Sequence, residues 1–176
     1  MKIETKIEWY VNNYIAPKTP LRIVRGIEFC MEKYKEEAPI VSFTLKPDGD
    51  VENKVFYKFL SSNGLDESYD ELFSLELIFA LSLLHEIGHV ITFNNFSNSD
   101  RIMSSTLIQS LEILFERYKT DNKVNDDLLA KMLFDYWNVP TEKAAQDFVV
   151  KFANEHPLVV YDLMNFYKEG KENYES

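Results

Sequence analysis

Cysteine is almost missing from this chain of 176 residues: Cys30 stands alone, so no intrachain disulfide can form and a disulfide-stapled secreted scaffold is excluded. A signal-peptide core is wanting too, because Met1 to Lys6 leads into a polar segment, and a reducing cytoplasm is the expected setting. Positive charge is scarce. With 19 lysines and arginines against 29 acidic residues, the formal net charge is -10, which leaves no basic face to neutralise phosphates, and nucleic acid is not expected as a partner. Long hydrophobic runs are short as well. The richest, Leu77 to Leu84, contains Ser82 and ends at His85, Glu86 and His89, whereas a span needs roughly 20 successive apolar residues, so no membrane crossing is expected.

What is present suits a globular chain: hydrophobic residues reach 45% and charged residues 27%, enough for one domain over residues 1–176 to bury its own core. The expected class is α+β and predominantly helical, with a small sheet packed on a buried helix. Ile3 to Ile15 and Leu21 to Glu36 carry apolar residues three and four apart, separated by Pro17 and Pro20, and read as two helices. Pro39 to Lys46 and Val51 to Leu60 flank Pro47-Asp48-Gly49-Asp50 and read as a β-hairpin. Tyr69 to Phe93 is apolar nearly all round, as a central helix would be. After a polar loop at Asn94 to Asp100, helices are expected over Ile102 to Tyr118, Val124 to Trp137, Thr141 to Glu155 and Pro157 to Lys168, with a frayed end from Glu169 to Ser176.

His85-Glu86-Ile87-Gly88-His89 lies in the most apolar of these segments. Two histidines four residues apart project from one helix face a turn apart and can reach one metal ion, with Glu86 beside them as a general base and Gly88 allowing a close approach. Of three histidines in the chain, two fall in this pentapeptide, and three ionisable groups in an apolar helix are costly unless paired or metal-bound. The chemistry of such a set favours zinc with one coordination position left open.

A third ligand has to come from elsewhere. The pattern with a histidine six residues after His89 is absent, since Asn95 stands there and Thr92 stands where its glycine would be, which excludes a metzincin. Glu142 leads the candidates, because at helical spacing it shares a face with Ala145, Val149 and Phe152, while Ala144 and Ala145 are small enough for a close helix approach. A helix-start glutamate placed by the macrodipole is the competing view of Glu142, and His156, Asp147 and Glu112 stay open as other ligands. Tyr136 and Tyr161 are candidates to stabilise an oxyanion.

Together, His85-Glu86-Ile87-Gly88-His89 and the later Glu142-x-x-Ala145-Gln146-x-Phe148 resemble the gluzincin pattern of the ImmA/IrrE-type metallopeptidases of bacteria, phages and mobile elements. The resemblance implies a small zincin-like domain, Zn2+ held by His85, His89 and Glu142, Glu86 as catalytic base, and a protein or peptide substrate. Several members of that group are regulators that trigger cleavage of a repressor. Three features depart from the pattern: 52 residues lie between His89 and Glu142, Gln146 stands in place of an aspartate or asparagine, and no helix-turn-helix precedes the motif. Two other classes compete: a catalytically silent, zinc-stabilised binding module, and a helical interaction protein with incidental histidines.

Overall fold

The computed structural model describes residues 1–33, 36–46, 49–121 and 125–175, the side chains as far as residue 173. The first helix, α1 (Ile3–Tyr10), runs on into a π-helical turn at Val11–Ile15. Ile3, Ile7, Val11 and Ile15 are all buried and stand four apart. Such a stripe drifts by about 40° per step round an α-helix, and the wider π turn takes the drift back, so one face stays on the core.

Leu21 to Glu36 is not the expected helix. It forms β1 (Arg22–Arg25) and β2 (Cys30–Glu32). The buried residues Leu21 and Ile23 alternate, and Ile27 is 95% exposed, so the apolar residues lack a common helical face. With β3 (Ile40–Phe43) these strands make a sheet of order β1-β3-β2, β1 parallel and β2 antiparallel to the central β3. Ile23 is paired with Val41 and Cys30 with Ser42, and Val41 and Phe43 point into the core.

The expected second strand, Val51 to Leu60, is also overturned: it lies in a helix, α2 (Asp50–Ser62). Phe56, Phe59 and Leu60 are buried at helical spacing with Asn53 a turn earlier, and Asp50 and Glu52 suit the positive end of a helix. The hairpin is instead β2 with β3; of the expected turn, Pro47 and Asp48 lie outside the described residues.

A 3-10 turn (Glu67–Leu72) precedes α3 (Leu75–Thr92), whose start is fixed by Ser74 Oγ accepting from Leu77 N at 3.2 Å. The helix therefore begins later than Tyr69. Twelve of its 18 residues are buried, which makes it the central element. By length and mean hydropathy (1.4), Leu75–Asn95 meets the requirement for a membrane span despite its ionisable groups, and 67% of its most apolar 18-residue window is buried inside the fold. Phe79 joins its neighbours, 5.5 Å ring to ring from Phe43 of β3 and 5.1 Å from Tyr167. Each apolar side chain fully buried there contributes about 1.5–3 kcal/mol.

A capping box of Ser97 and Asp100 opens α4 (Asn98–Thr120), which buries only Ser104, and Asn125 caps α5 (Asp126–Trp137). Pro140 starts α6 (Pro140–Glu155), and α7 (Pro157–Glu175) follows. The C-terminal segment is helical rather than frayed as far as Glu175: Tyr167 is buried, and Gly170 sits against Leu45 and Ile3. α3 packs most extensively on α6 and α7, with β2 and β3 on its other side, so the structure is predominantly helical with a small sheet against the helix that carries the histidines.

Candidate metal centre

One turn of α3 separates His85 from His89, and α6 lies across it so that Glu142, in its first turn, faces both rings. The approach is possible because residue 88 has no side chain: a Cβ there would lie 3.0 Å from the Ala145 carbonyl oxygen and 3.1 Å from Ala145 Cα. His85 Nε2 is 3.1 Å from Glu142 Oε2, His89 Nε2 is 3.4 Å from the same oxygen, and the two Nε2 atoms are 3.1 Å apart. Donors arranged tetrahedrally at zinc-ligand distances stand about 3.3–3.6 Å from one another, so this triangle fits one cation to within a few tenths of an ångström. Two nitrogens and an oxygen of this kind are also the donor set zinc takes.

The surroundings hold these groups in place. His85 and Glu142 are 8% and 5% exposed, and the Phe56 ring stands edge-on to His85 at 6.4 Å, itself tilted on Trp137 at 5.5 Å. Burial alone would raise the Glu142 carboxyl, but hydrogen bonds from His85 and His89 hold it well below the carboxylate range. For His89, burial opposes the charged form and the Glu142 carboxylate outweighs it, so its net shift is upward. Glu86, 9% exposed, is pushed up by burial, with His85 and His89 pulling partly the other way.

A cleft of about 300 Å³ opens on this cluster, lined by His85, Glu86, Ser82, Phe56 and Tyr136 among others. Tyr136, on α5, is a half-buried phenol raised by desolvation and by the Glu142, Glu86 and Glu112 carboxylates, and it remains a proton donor. Tyr161 is 43% exposed on α7 and does not line the cleft. Nor do the other ligand candidates join the cluster: Asp147 is exposed and paired with Lys143, His156 sits at the exposed end of α6 against Phe152, and Glu112 is exposed on α4. Among the described residues, His85, His89 and Glu142 are the one group that could hold a metal. Gln146, one turn beyond Glu142, is fully buried with neither amide atom hydrogen-bonded, and His85 Nδ1 is likewise without a partner among the described residues.

The arrangement is a zincin-like metal site. No protein-family model, curated protein or solved structure matches the chain. Cleft residues that sequence reasoning missed are Glu28, Phe29, Thr44, Glu52, Asn53 and Trp137. Reading Val51 to Leu60 as a strand concealed Glu52 and Asn53; their spacing with Phe56 and Phe59 on one helical face was the available signal.

Proposed function

We propose that this chain is a zinc-dependent metallopeptidase, with Zn2+ held by His85, His89 and Glu142 and with Glu86 as general base. The reading is carried by the convergence of two imidazole nitrogens and a carboxylate oxygen within 3.4 Å of one another beside a buried carboxylate that lines an open cleft. When bound, zinc supplies Lewis acidity, polarising a carbonyl and bringing the pKa of water toward neutrality. Glu86 accepts the proton of the attacking water and delivers it to the amine that leaves. A raised carboxyl is suited to that exchange near neutral pH. The Tyr136 phenol donates to the developing oxyanion.

A peptide can bind by adding to a sheet edge. At β1 the Ile23 amide is taken by Glu8 Oε2 at 2.8 Å, while Glu28 and Phe29 line the cleft and lead directly into β2, which favours the β2 edge. Within this reading the chain belongs with the ImmA/IrrE-type enzymes, acts in the cytoplasm on a protein or peptide, and serves as a regulatory protease of a phage or mobile element. What supports that finer assignment is the pairing of the pentapeptide with Glu142-x-x-Ala145-Gln146-x-Phe148, whose glutamate lies at the histidines.

The test is Glu86→Gln. Zinc content measured after dialysis stays stoichiometric, and cleavage of a denatured-protein or peptide mixture falls by about 10²–10⁴-fold, the share general acid-base chemistry contributes. Full cleavage in that variant, or a purified parent chain that takes up no zinc, would overturn the proposal.

A further inference from the structure

A second cavity of about 550 Å³ adjoins the cleft, and the two share Glu52, Leu133 and Tyr136 as lining residues. It lies between α4 and α5. Its floor is apolar, made by Leu111 and Phe115 of α4 and by Leu129, Met132 and Leu133 of α5. Its rim is acidic: Glu112 and Glu116 stand one turn apart on α4, with Glu52 of α2 at the passage to the cleft. Glu28 continues this charge to the cleft itself, and neither cavity is lined by a lysine or arginine among the described residues.

These observations agree on a ligand. A pocket this size accepts one or two large apolar side chains, and burying them removes exposed floor from water. Carboxylates without a basic neighbour in the lining attract cations, raising both encounter rate and selectivity.

We infer that the groove between α4 and α5 is a specificity subsite of the proposed protease, and that it selects a protein segment in which a large apolar residue is flanked by lysine or arginine. This rests on the metallopeptidase reading for its connection to cleavage, but the groove binds its segment whether or not a bond is broken. Tyr136, which lines both cavities, marks where the segment passes from the groove to the metal-facing cleft.

The probe is a set of three fluorescein-labelled 12-residue peptides on a Gly/Ser background: one with a central Leu-Phe flanked by four lysines, one with the lysines replaced by glutamates, and one with Leu-Phe replaced by Ser-Ser. Anisotropy with full-length Glu86→Gln protein, loaded with zinc, reads binding without turnover. The basic apolar peptide binds at least about tenfold tighter than either counterpart and weakens as salt rises. Glu112→Lys with Glu116→Lys, both on an exposed helix face, removes that preference, and Glu112→Gln with Glu116→Gln reduces it. Equal binding of the lysine and glutamate peptides, equal binding without Leu-Phe, no binding of any, or no effect of the charge reversal in folded protein would each overturn the inference. Zinc content and cleavage by the parent separate the two ideas: zinc-dependent cleavage without charge preference defeats the subsite alone, whereas selective binding by a chain that holds no zinc defeats the protease alone.

Discussion

Replacing Gly88 by alanine tests the close approach of α3 to α6 on which the metal site depends. The added Cβ would lie 3.0 Å from the Ala145 carbonyl oxygen, 3.1 Å from Ala145 Cα and 3.1 Å from Phe148 Cδ1. Two of these are backbone atoms, so no rotamer change relieves the contact and the helices must part by a few tenths of an ångström. Overpacking of this kind costs about 1–3 kcal/mol, and alanine in place of a helical glycine offsets about 1 kcal/mol of that. The variant therefore loses about 0–2 kcal/mol and folds. Metal binding is less forgiving, because ligand distances are held to about 0.2 Å and Glu142 rides on α6 three residues ahead of Ala145. We expect the zinc dissociation constant to rise by about 10–100-fold, the range of changes that misplace a ligand without removing it, measured by competition with a chromophoric chelator alongside urea unfolding of the metal-free protein. Gly170→Ala is the control: its Cβ meets the methyl ends of Leu45 at 3.2 and 3.3 Å, far from the histidines in the fold, and zinc affinity stays unchanged. A Gly88→Ala protein about 1 kcal/mol more stable than its parent and equally tight for zinc would refute the reasoning.

Glu142→Ala removes a ligand outright, and calorimetric titration should show zinc affinity falling by more than the roughly 10–100-fold of outer-shell changes. Metal-free stability should fall on both sides of a window set by Glu142 and His89. The depressed Glu142 stabilises above its ordinary 4.5 and loses this as pH falls through its folded value, whereas the raised His89 stabilises below its ordinary 6.5 and loses this as pH rises through its folded value. Glu86, raised from 4.5, costs stability as pH rises from 4.5 through its folded value; a urea midpoint that climbs above pH 6.5 would contradict the His89 assignment, and one that holds steady as pH falls below 4.5 would contradict that of Glu142. Tyr136→Phe should lower the hydrolysis rate by about 10²–10³-fold with zinc content unchanged, the cost of one oxyanion donor, as read in a peptide-cleavage assay beside metal analysis.

The metal cluster was legible in the sequence because its geometry is local. Histidines four apart on a helix fix their own separation, and Glu142 could be singled out because Ala145, Val149 and Phe152 recur on its face at helical spacing; Ala145 and Val149 are fully buried and Phe152 half-buried. The helices after residue 97 were legible from their spacing, though α4 starts at Asn98, inside the polar loop expected over Asn94 to Asp100, because the Ser97 cap and Asp100 make that polar stretch a helix start. The sheet was not. Strands of four, three and four residues are too short for a period to show, and β1 finds its partner β3 across an intervening strand. Val51 to Leu60 misleads in the other direction: Val55, Phe56, Tyr57 and Phe59 favour a strand by type, but Phe56, Phe59 and Leu60 all bury against the core as a helix, and tertiary packing overrides local preference.

The interval of 52 residues between His89 and Glu142 bears on how the candidate metal site and the proposed subsite are divided along the chain. Most of it is α4 and α5, and α4 buries only Ser104, so this helix contributes little to the core that fixes the triad. The positions of His85, His89 and Glu142 follow from α3 lying directly on α6, a contact made through Gly88 and Ala145 with neither α4 nor α5 between them. What α4 and α5 do form is the apolar floor of the groove, with Glu112 and Glu116 on its rim. The long spacing still leaves His85, His89 and Glu142 together, and α5 adds to their surroundings: its Trp137 packs on the Phe56 ring beside His85, and its Tyr136 lies by the Glu142 carboxylate. On the proposed reading, the exposed face of α4 that carries Glu112 and Glu116 is where the charge of the groove can change with the Gly88 contact left untouched.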